Sequence, residues 1–295
     1  MKAFSFDYVR AGSLDEICKL LQQNGPRAKL IAGGQSLVPM MVMRLTKPAL
    51  LVDLNDVDEL KGISVTGDRL VVRGGTRQRA IEASGDIARV CPVVLQALHW
   101  VGHPQTRNRG TLGGSLVHAD PSAELPLVSL LLDAEIILQS ADGEESMPAS
   151  EFFLAPLVTA LRPEQCLARV EFPLWKGHVG SSFHEVSARR GDFAMVAAAA
   201  QIQIDESGRC TRAAVGLGGV DDTPIRVEGV EKALAGQVPD PSKFHDISRL
   251  AATEIDPESD LHASAAYRRD VACTLIERAL QDALHMARPM AGASK

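Results

Sequence analysis

Two segments of this sequence have residue types suited to holding an anion: Ala32-Gly33-Gly34-Gln35-Ser36, directly after an apolar run, and Thr111-Leu112-Gly113-Gly114-Ser115, after a turn-rich stretch. Paired glycines allow positive φ and let the main chain approach a ligand with no Cβ in the way, so successive N–H groups can converge on negative oxygens. Each segment ends in a serine whose hydroxyl can donate to a phosphate. Two such loops together have the parts to hold both halves of a pyrophosphate without a lysine, by uncharged N–H dipoles. Gly74-Gly75 and Gly218-Gly219 read as simple tight turns.

Competing nucleotide and hydrolase motifs fail. Gly216-Leu217-Gly218 continues into Gly219-Val220-Asp221 rather than a dinucleotide fingerprint, and no Gly-Lys-Ser/Thr forms a P-loop. Neither Gly34-Gln35-Ser36-Leu37-Val38 nor Gly114-Ser115-Leu116-Val117 has the second glycine of a nucleophile elbow.

Downstream, His118-Ala119-Asp120-Pro121-Ser122-Ala123-Glu124 sets two carboxylates close together. Asp120 and Glu124 read either as surface or helix-capping acids or as acceptors for ribose hydroxyls. His99 and His103, four apart, would share a helix face, but Pro104 and the lack of a third ligand argue against a metal. Arg189-Arg190-Gly191-Asp192-Phe193 reads as a solvated loop or as a charged, aromatic loop beside a cofactor ring. The five cysteines are dispersed, which fits buried thiols and not a disulfide framework or a self-contained iron–sulfur or zinc site.

Lys plus Arg number 31 against 37 for Asp plus Glu, a net charge of −6 with no basic run, so nucleic acid is not an expected partner. Neither an apolar signal core nor a window near the roughly 18 apolar residues of a membrane span is present, and the chain reads as cytoplasmic. With 45% hydrophobic residues over 295 positions it can bury a sizeable core in about two domains.

Ser13-Leu14-Asp15-Glu16 matches a capping box, and Leu14, Ile17, Leu20 and Leu21 continue at helical spacing to Gly25-Pro26. Apolar runs predict strands over 28–32 and 49–53, two more within 63–73, one from 135 that turns at Ser140-Ala141-Asp142-Gly143, and one over 167–172 closed by Pro173. Helical patterns cover 78–84, 93–101 and 125–132, while 102–110 reads as turns. Beyond a boundary near 175–180, β-compatible runs at 195–204 and 210–220 precede a helical pattern over 267–286.

The residues resemble a known family. Lys29-Leu30-Ile31-Ala32-Gly33-Gly34-Gln35-Ser36-Leu37-Val38-Pro39-Met40-Met41 and Thr111-Leu112-Gly113-Gly114-Ser115-Leu116 look like the two FAD pyrophosphate signatures of the carbon monoxide dehydrogenase medium subunit and the xanthine dehydrogenase flavin domain. Phe6-Asp7-Tyr8, Arg190-Gly191-Asp192-Phe193-Ala194, Gly218-Gly219-Val220 and Tyr267-Arg268-Arg269 extend the match over the whole chain. The sequence departs from relatives in Gln35 for histidine, Ser115 for asparagine, and His184 where the xanthine dehydrogenase type has lysine.

This resemblance implies an α+β protein: a two-subdomain FAD-binding fold of the vanillyl-alcohol oxidase/PCMH type over 1–176, with subdomains at about 1–60 and 61–176, then a C-terminal α+β domain over 177–295. It implies FAD contacts from Lys29, Leu30, Ile31, Ala32, Gly33, Gly34, Gln35, Ser36, Leu37, Thr111, Gly113, Gly114 and Ser115. Glu124 would meet the adenosine ribose, with His118 and Asp120 also among the FAD contacts, and Leu167, Asp192 and Phe193 would flank the isoalloxazine. No residue is expected to be catalytic. The implied partners are a large subunit carrying molybdopterin cytosine dinucleotide and a small subunit with two 2Fe–2S clusters, as a dimer of heterotrimers. The expected role is electron transfer from those clusters through FAD to an external acceptor; the alternative is a stand-alone flavin oxidase of the vanillyl-alcohol type.

Overall fold

A computed structural model of the chain describes residues 2–288. Its packing divides it into two compact units. The first runs to Ala88 and adds Gly102–Ala119 and Asp133–Phe172; the second holds Arg89–Val101, Asp120–Leu132 and the described residues from Pro173 onward.

In the first unit, strands β1 (Asp7–Arg10), β2 (Ala28–Ile31) and β3 (Leu50–Asp53) form a parallel sheet in the order β1-β3-β2. β3 is buried at all four positions, as the centre of a parallel sheet must be. The connecting helix Leu14–Asn24 starts where Ser13 Oγ accepts the Glu16 amide, while the Glu16 carboxylate turns back to the Gly12 N–H. Its face of Ile17 and Leu21 joins Ala28, Val52, Val57 and Leu60 in one apolar cluster.

The first unit's other sheet is built from β4 (Ile63–Thr66), β5 (Arg69–Arg73), β6 (Glu135–Ser140) and β7 (Gly143–Pro148). A small hairpin of β8 (Phe153–Ala155) and β9 (Val158–Thr159) leads into β10 (Cys166–Pro173), and the sheet order is β4-β5-β10-β6-β7. The stretch 102–110 is not all turns, because Pro104–Arg109 is a helix. Its residues are polar and give no apolar period; Arg107 is buried and fastened to Glu82 at 3.2 Å instead.

The second unit is a four-stranded antiparallel sheet of β11 (His178–Ser187), β12 (Ala194–Ile204), β13 (Cys210–Gly218) and β14 (Ile225–Arg226). Alternation along the strands separates two faces. One carries Val196, Ala198, Ala200, Ile202, Val215 and Leu217 against the helix Ala265–Ala287. That helix lies so close that a Cβ on Gly180 would stand 2.0 Å from the Ala283 carbonyl oxygen. The opposite face carries small residues, Ala197 beside Gly218 and Ala199 beside Gly216, and receives the helix Glu124–Leu131 through Leu127.

All eight residues of that helix are buried, which explains why a segment so early in sequence packs with the C-terminal strands. Arg268, also buried, donates to the main-chain oxygens of Met195 and Gly219 and pairs with Asp260 at 2.7 Å. Among the described residues no helix is long and apolar enough to cross a membrane.

Candidate functional site

The first glycine segment leaves β2 at Ile31 and turns into the helix Leu37–Val42. Gly34 stands at φ 71°, a conformation that a side chain disfavours. Gly33 has ordinary φ and is needed for space: a Cβ there would lie 2.3 Å from the carbonyl oxygen of Arg109 and 2.9 Å from Gly110 Cα. The first loop is therefore packed main chain to main chain on the segment that leads into the second.

The second segment is the start of a helix, Leu112–His118, rather than a free loop. Thr111 caps it, its hydroxyl accepting the Gly114 amide at 3.0 Å. The expected positive φ is absent at Gly113 and Gly114. A Cβ on Gly113 would lie 2.8 Å from the Gly74 carbonyl oxygen, which accepts the Gly113 amide at 2.8 Å. Gly74 in turn leaves no room for a Cβ against the Leu167 carbonyl oxygen, 2.3 Å away, so Gly74-Gly75 is a packing platform and not a bare turn. Replacing Thr111 with alanine should lower the stability of the first unit by about 1–2 kcal/mol, read as a lower thermal midpoint at unchanged cooperativity.

Hydrogen bonds divide the labour between the segments. In the second, the amides of Leu112, Gly113, Gly114 and Ser115 already donate to Thr76 O, Gly74 O, Thr111 Oγ1 and Thr111 O. In the first, the amides of Gln35, Ser36 and Leu37 have no protein acceptor among the described residues. The open main-chain N–H groups thus lie in the first loop. The second, with its amides already tied, is rigid backing.

A cleft of about 510 Å³ opens at the first loop, lined by Ile31, Ala32, Gly33, Gly34, Gln35, Val38 and Pro39 together with Tyr8, Asp53, Asn55 and Arg109. Tyr8 donates its hydroxyl to Asp53, and the same carboxylate accepts the Asn55 amide at 2.8 Å. That bond and its negative surroundings raise the Tyr8 pKa. Arg77 bridges Asn55 Oδ1 and the Arg109 carbonyl, and its pKa is lowered by burial and by neighbouring Arg109. Arginine therefore stands at the wall of a cradle whose glycine segments alone carry no charge. Glycines that a Cβ would fill, open amides and two guanidinium groups fit a dianionic diphosphate.

The other sequence candidates separate by unit. Lys29 and Leu30 lie on β2, Ser36 caps the helix Leu37–Val42 without using its side chain, and His118 ends the helix Leu112–His118. Leu167, on β10, is tied to the second glycine segment through Gly74 but is only 5% exposed. Asp120, Glu124, Asp192 and Phe193 belong to the second unit. Asp120 closes a turn by accepting the Ser122 amide, and Asp192 faces Arg189 at 3.5 Å. Phe193 projects from its loop, 73% exposed.

Glu124 is 8% exposed, and burial lifts its carboxyl to about 7. Glu185, 6% exposed on β11, is lifted to about 8 by burial and then by the charge of Glu124, and neither of its oxygens has a hydrogen-bond partner among the described residues. His99 ends one helix and His103 caps the next, so the two share no helix face, and His99 contacts Arg190. Among the described residues no group of three His, Cys, Asp or Glu side chains is placed to hold a metal, and all five cysteines are buried and free.

Residues 4–175 match the family model described as FAD binding domain in molybdopterin dehydrogenase, and residues 181–283 match the CO dehydrogenase flavoprotein C-terminal domain. The 6-hydroxypseudooxynicotine dehydrogenase complex subunit alpha of Paenarthrobacter nicotinovorans is 40% identical, over 98% of this chain and 98% of its own length. Quinoline 2-oxidoreductase from Pseudomonas putida 86 superposes at a TM-score of 0.93 with 35% identity, over 97% of this chain and 99% of that one. Carbon monoxide dehydrogenase from Hydrogenophaga pseudoflava gives a TM-score of 0.93 with 30% identity, over 97% of this chain and 99% of that one.

Proposed function

Since the chain belongs to the family of FAD-binding subunits of molybdopterin dehydrogenases, we propose that residues 29–37 and 111–115 hold the FAD diphosphate in the cleft beside Asn55 and Arg109. The observation that carries this reading is the contact of Gly33 with the Arg109 carbonyl, which brings the two distant glycine segments to one place. Open amides at Gln35, Ser36 and Leu37 meet phosphate oxygens, the Ser36 and Ser115 hydroxyls donate further bonds, and Arg77 and Arg109 offset the charge. Glu124 and Asp120 are assigned to the adenosine end, His118 to a further FAD contact, and Leu167, Asp192 and Phe193 to the flavin ring.

When bound, FAD supplies two-electron and one-electron redox chemistry and so links iron–sulfur donors to an external acceptor. The chain's own residues bind, orient and shield it. None of them is assigned an acid–base role in substrate oxidation, which takes place on a molybdenum-binding large subunit. A small subunit with two 2Fe–2S clusters delivers the electrons, and the assembly is a cytoplasmic dimer of heterotrimers.

Relatives named for a pseudooxynicotine, for quinoline and for carbon monoxide share this chain's plan. The variety of those substrates supports placing substrate choice outside this subunit, and it favours the complex over the stand-alone oxidase. The test is to purify the full chain with and without its co-expressed partners. One FAD per chain, released unmodified on denaturation, is the expected result, and a colourless chain that takes up no added FAD would refute the proposal.

A further inference from the structure

We propose that Arg77 and Asn55 are positioning residues for the nucleotide, forming a hydrogen-bonded strut that sets the spacing between the two glycine segments. Asn55 Nδ2 donates to the Ala32 carbonyl oxygen at 3.1 Å, immediately before Gly33. Asn55 Oδ1 accepts one arm of the Arg77 guanidinium, and the other arm donates to the Arg109 carbonyl oxygen. That oxygen is the atom on which Gly33 packs. Ala32, Asn55, Arg77, Arg109 and Gly33 therefore close a ring, with the glycine contact on one side and the strut on the other.

Both ends of the strut are anchored. Asn55 is held by its own amide and side chain to Asp53 Oδ1, at 2.8 and 2.5 Å, at the end of the buried central strand β3. Around Arg77 the main chain pairs with the second segment: Arg77 bridges to Thr111, the Gln78 amide donates to Gly110 O at 2.9 Å, and the Leu112 amide donates to Thr76 O at 3.1 Å. The side-chain acceptors of Arg77 are neutral oxygens, and they belong to Asn55 and Arg109, both residues of the cleft wall. A planar fork with five donors can serve two acceptors at a fixed separation, which an ammonium group cannot.

The strut rests on the reading of the cleft as the FAD site, and it makes a distinct demand. A ligand whose diphosphate spans both segments needs the spacing, whereas a mononucleotide that meets one segment does not. FAD, ADP and AMP affinities are to be measured by fluorescence titration and competition on the full chain, in wild type, Arg77→Met, Arg77→Lys and Asn55→Leu, alongside thermal unfolding of each. The strut predicts that Arg77→Met and Asn55→Leu weaken FAD and ADP by roughly tenfold or more while AMP changes little, and that Arg77→Lys restores only part of the ADP preference.

If Arg77→Met does not fold, Arg77→Lys decides by the same ADP-to-AMP ratio. Folded variants that keep wild-type FAD and ADP affinity, or that lose ADP and AMP by the same factor, would overturn the strut while leaving the site standing. A wild-type chain that binds neither FAD nor ADP would overturn both.

Discussion

Replacing Gly33 with alanine is expected to strip the chain of FAD, weakening binding by about a hundredfold or more, on the order of 3 kcal/mol. The added Cβ meets the Arg109 carbonyl oxygen at 2.3 Å, and both partners are main chain, so no side-chain rotation relieves the clash. The two segments must separate, which pulls apart the two halves of the proposed phosphate cradle. A control comes from Gly85, where a Cβ would meet nothing within 4 Å. Gly85→Ala should bind FAD as wild type does and gain about 0.5–1 kcal/mol of stability through its helix. Flavin fluorescence quenching on titration checks both, and wild-type FAD affinity in Gly33→Ala would refute the packed-loop explanation.

The second large effect is a dependence of stability on pH that runs opposite to that of ion-paired carboxylates. Glu185 lies in the row Glu185, Ala197, Gly218 across the sheet, and Gly218 lies under Pro121 and Leu127, which flank Glu124. Two buried carboxyls thus share one face, with Asp120 adding negative charge near Glu124. Their folded values, about 7 and about 8, exceed the roughly 4.3 of an unfolded glutamate.

Groups raised in this way contribute stability that is fully present below the unfolded value and is lost as pH rises through the folded ones. The second unit should therefore weaken between about pH 5 and 8. Glu185→Gln removes the charged form and should be more stable than wild type at pH 8.5 by about 2–4 kcal/mol, with little difference at pH 5. Both tryptophans, Trp100 and Trp175, belong to that unit, so intrinsic fluorescence during urea unfolding reports on it. A Glu185→Gln chain less stable than wild type at pH 8.5 would contradict the buried-carboxyl account.

The legibility of the sequence follows from what each residue must satisfy. Strands β2, β3, β10, β12 and β13 were readable because buried strands demand apolar runs, and the helix Leu14–Asn24 because Ser13 and Glu16 mark its start. β1 was not readable, since it is mostly exposed and shows no alternation. The helix Leu112–His118 was hidden by its two glycines, which suggest a loop but are there to let Gly74 approach.

At the site, the glycine segments were legible as a local pattern. Asn55, Arg77 and Arg109 were not, because they come from three separate stretches and meet only through the fold. Asn55 after a strand looks like any turn residue. The burial of Glu185 has no sequence signal, because an isolated glutamate in a strand is ordinarily solvated, and only the small face of Ala197 and Gly218 beneath a buried helix takes it out of water.

The joint grip of the two glycine segments on one diphosphate is tested most directly by a crystal structure of the full chain grown with FAD. The account predicts both phosphates in the cleft beside Arg109, with the amides of Gln35, Ser36 and Leu37 and the hydroxyl of Ser115 within hydrogen-bond reach of their oxygens. A diphosphate seated away from either segment would contradict it.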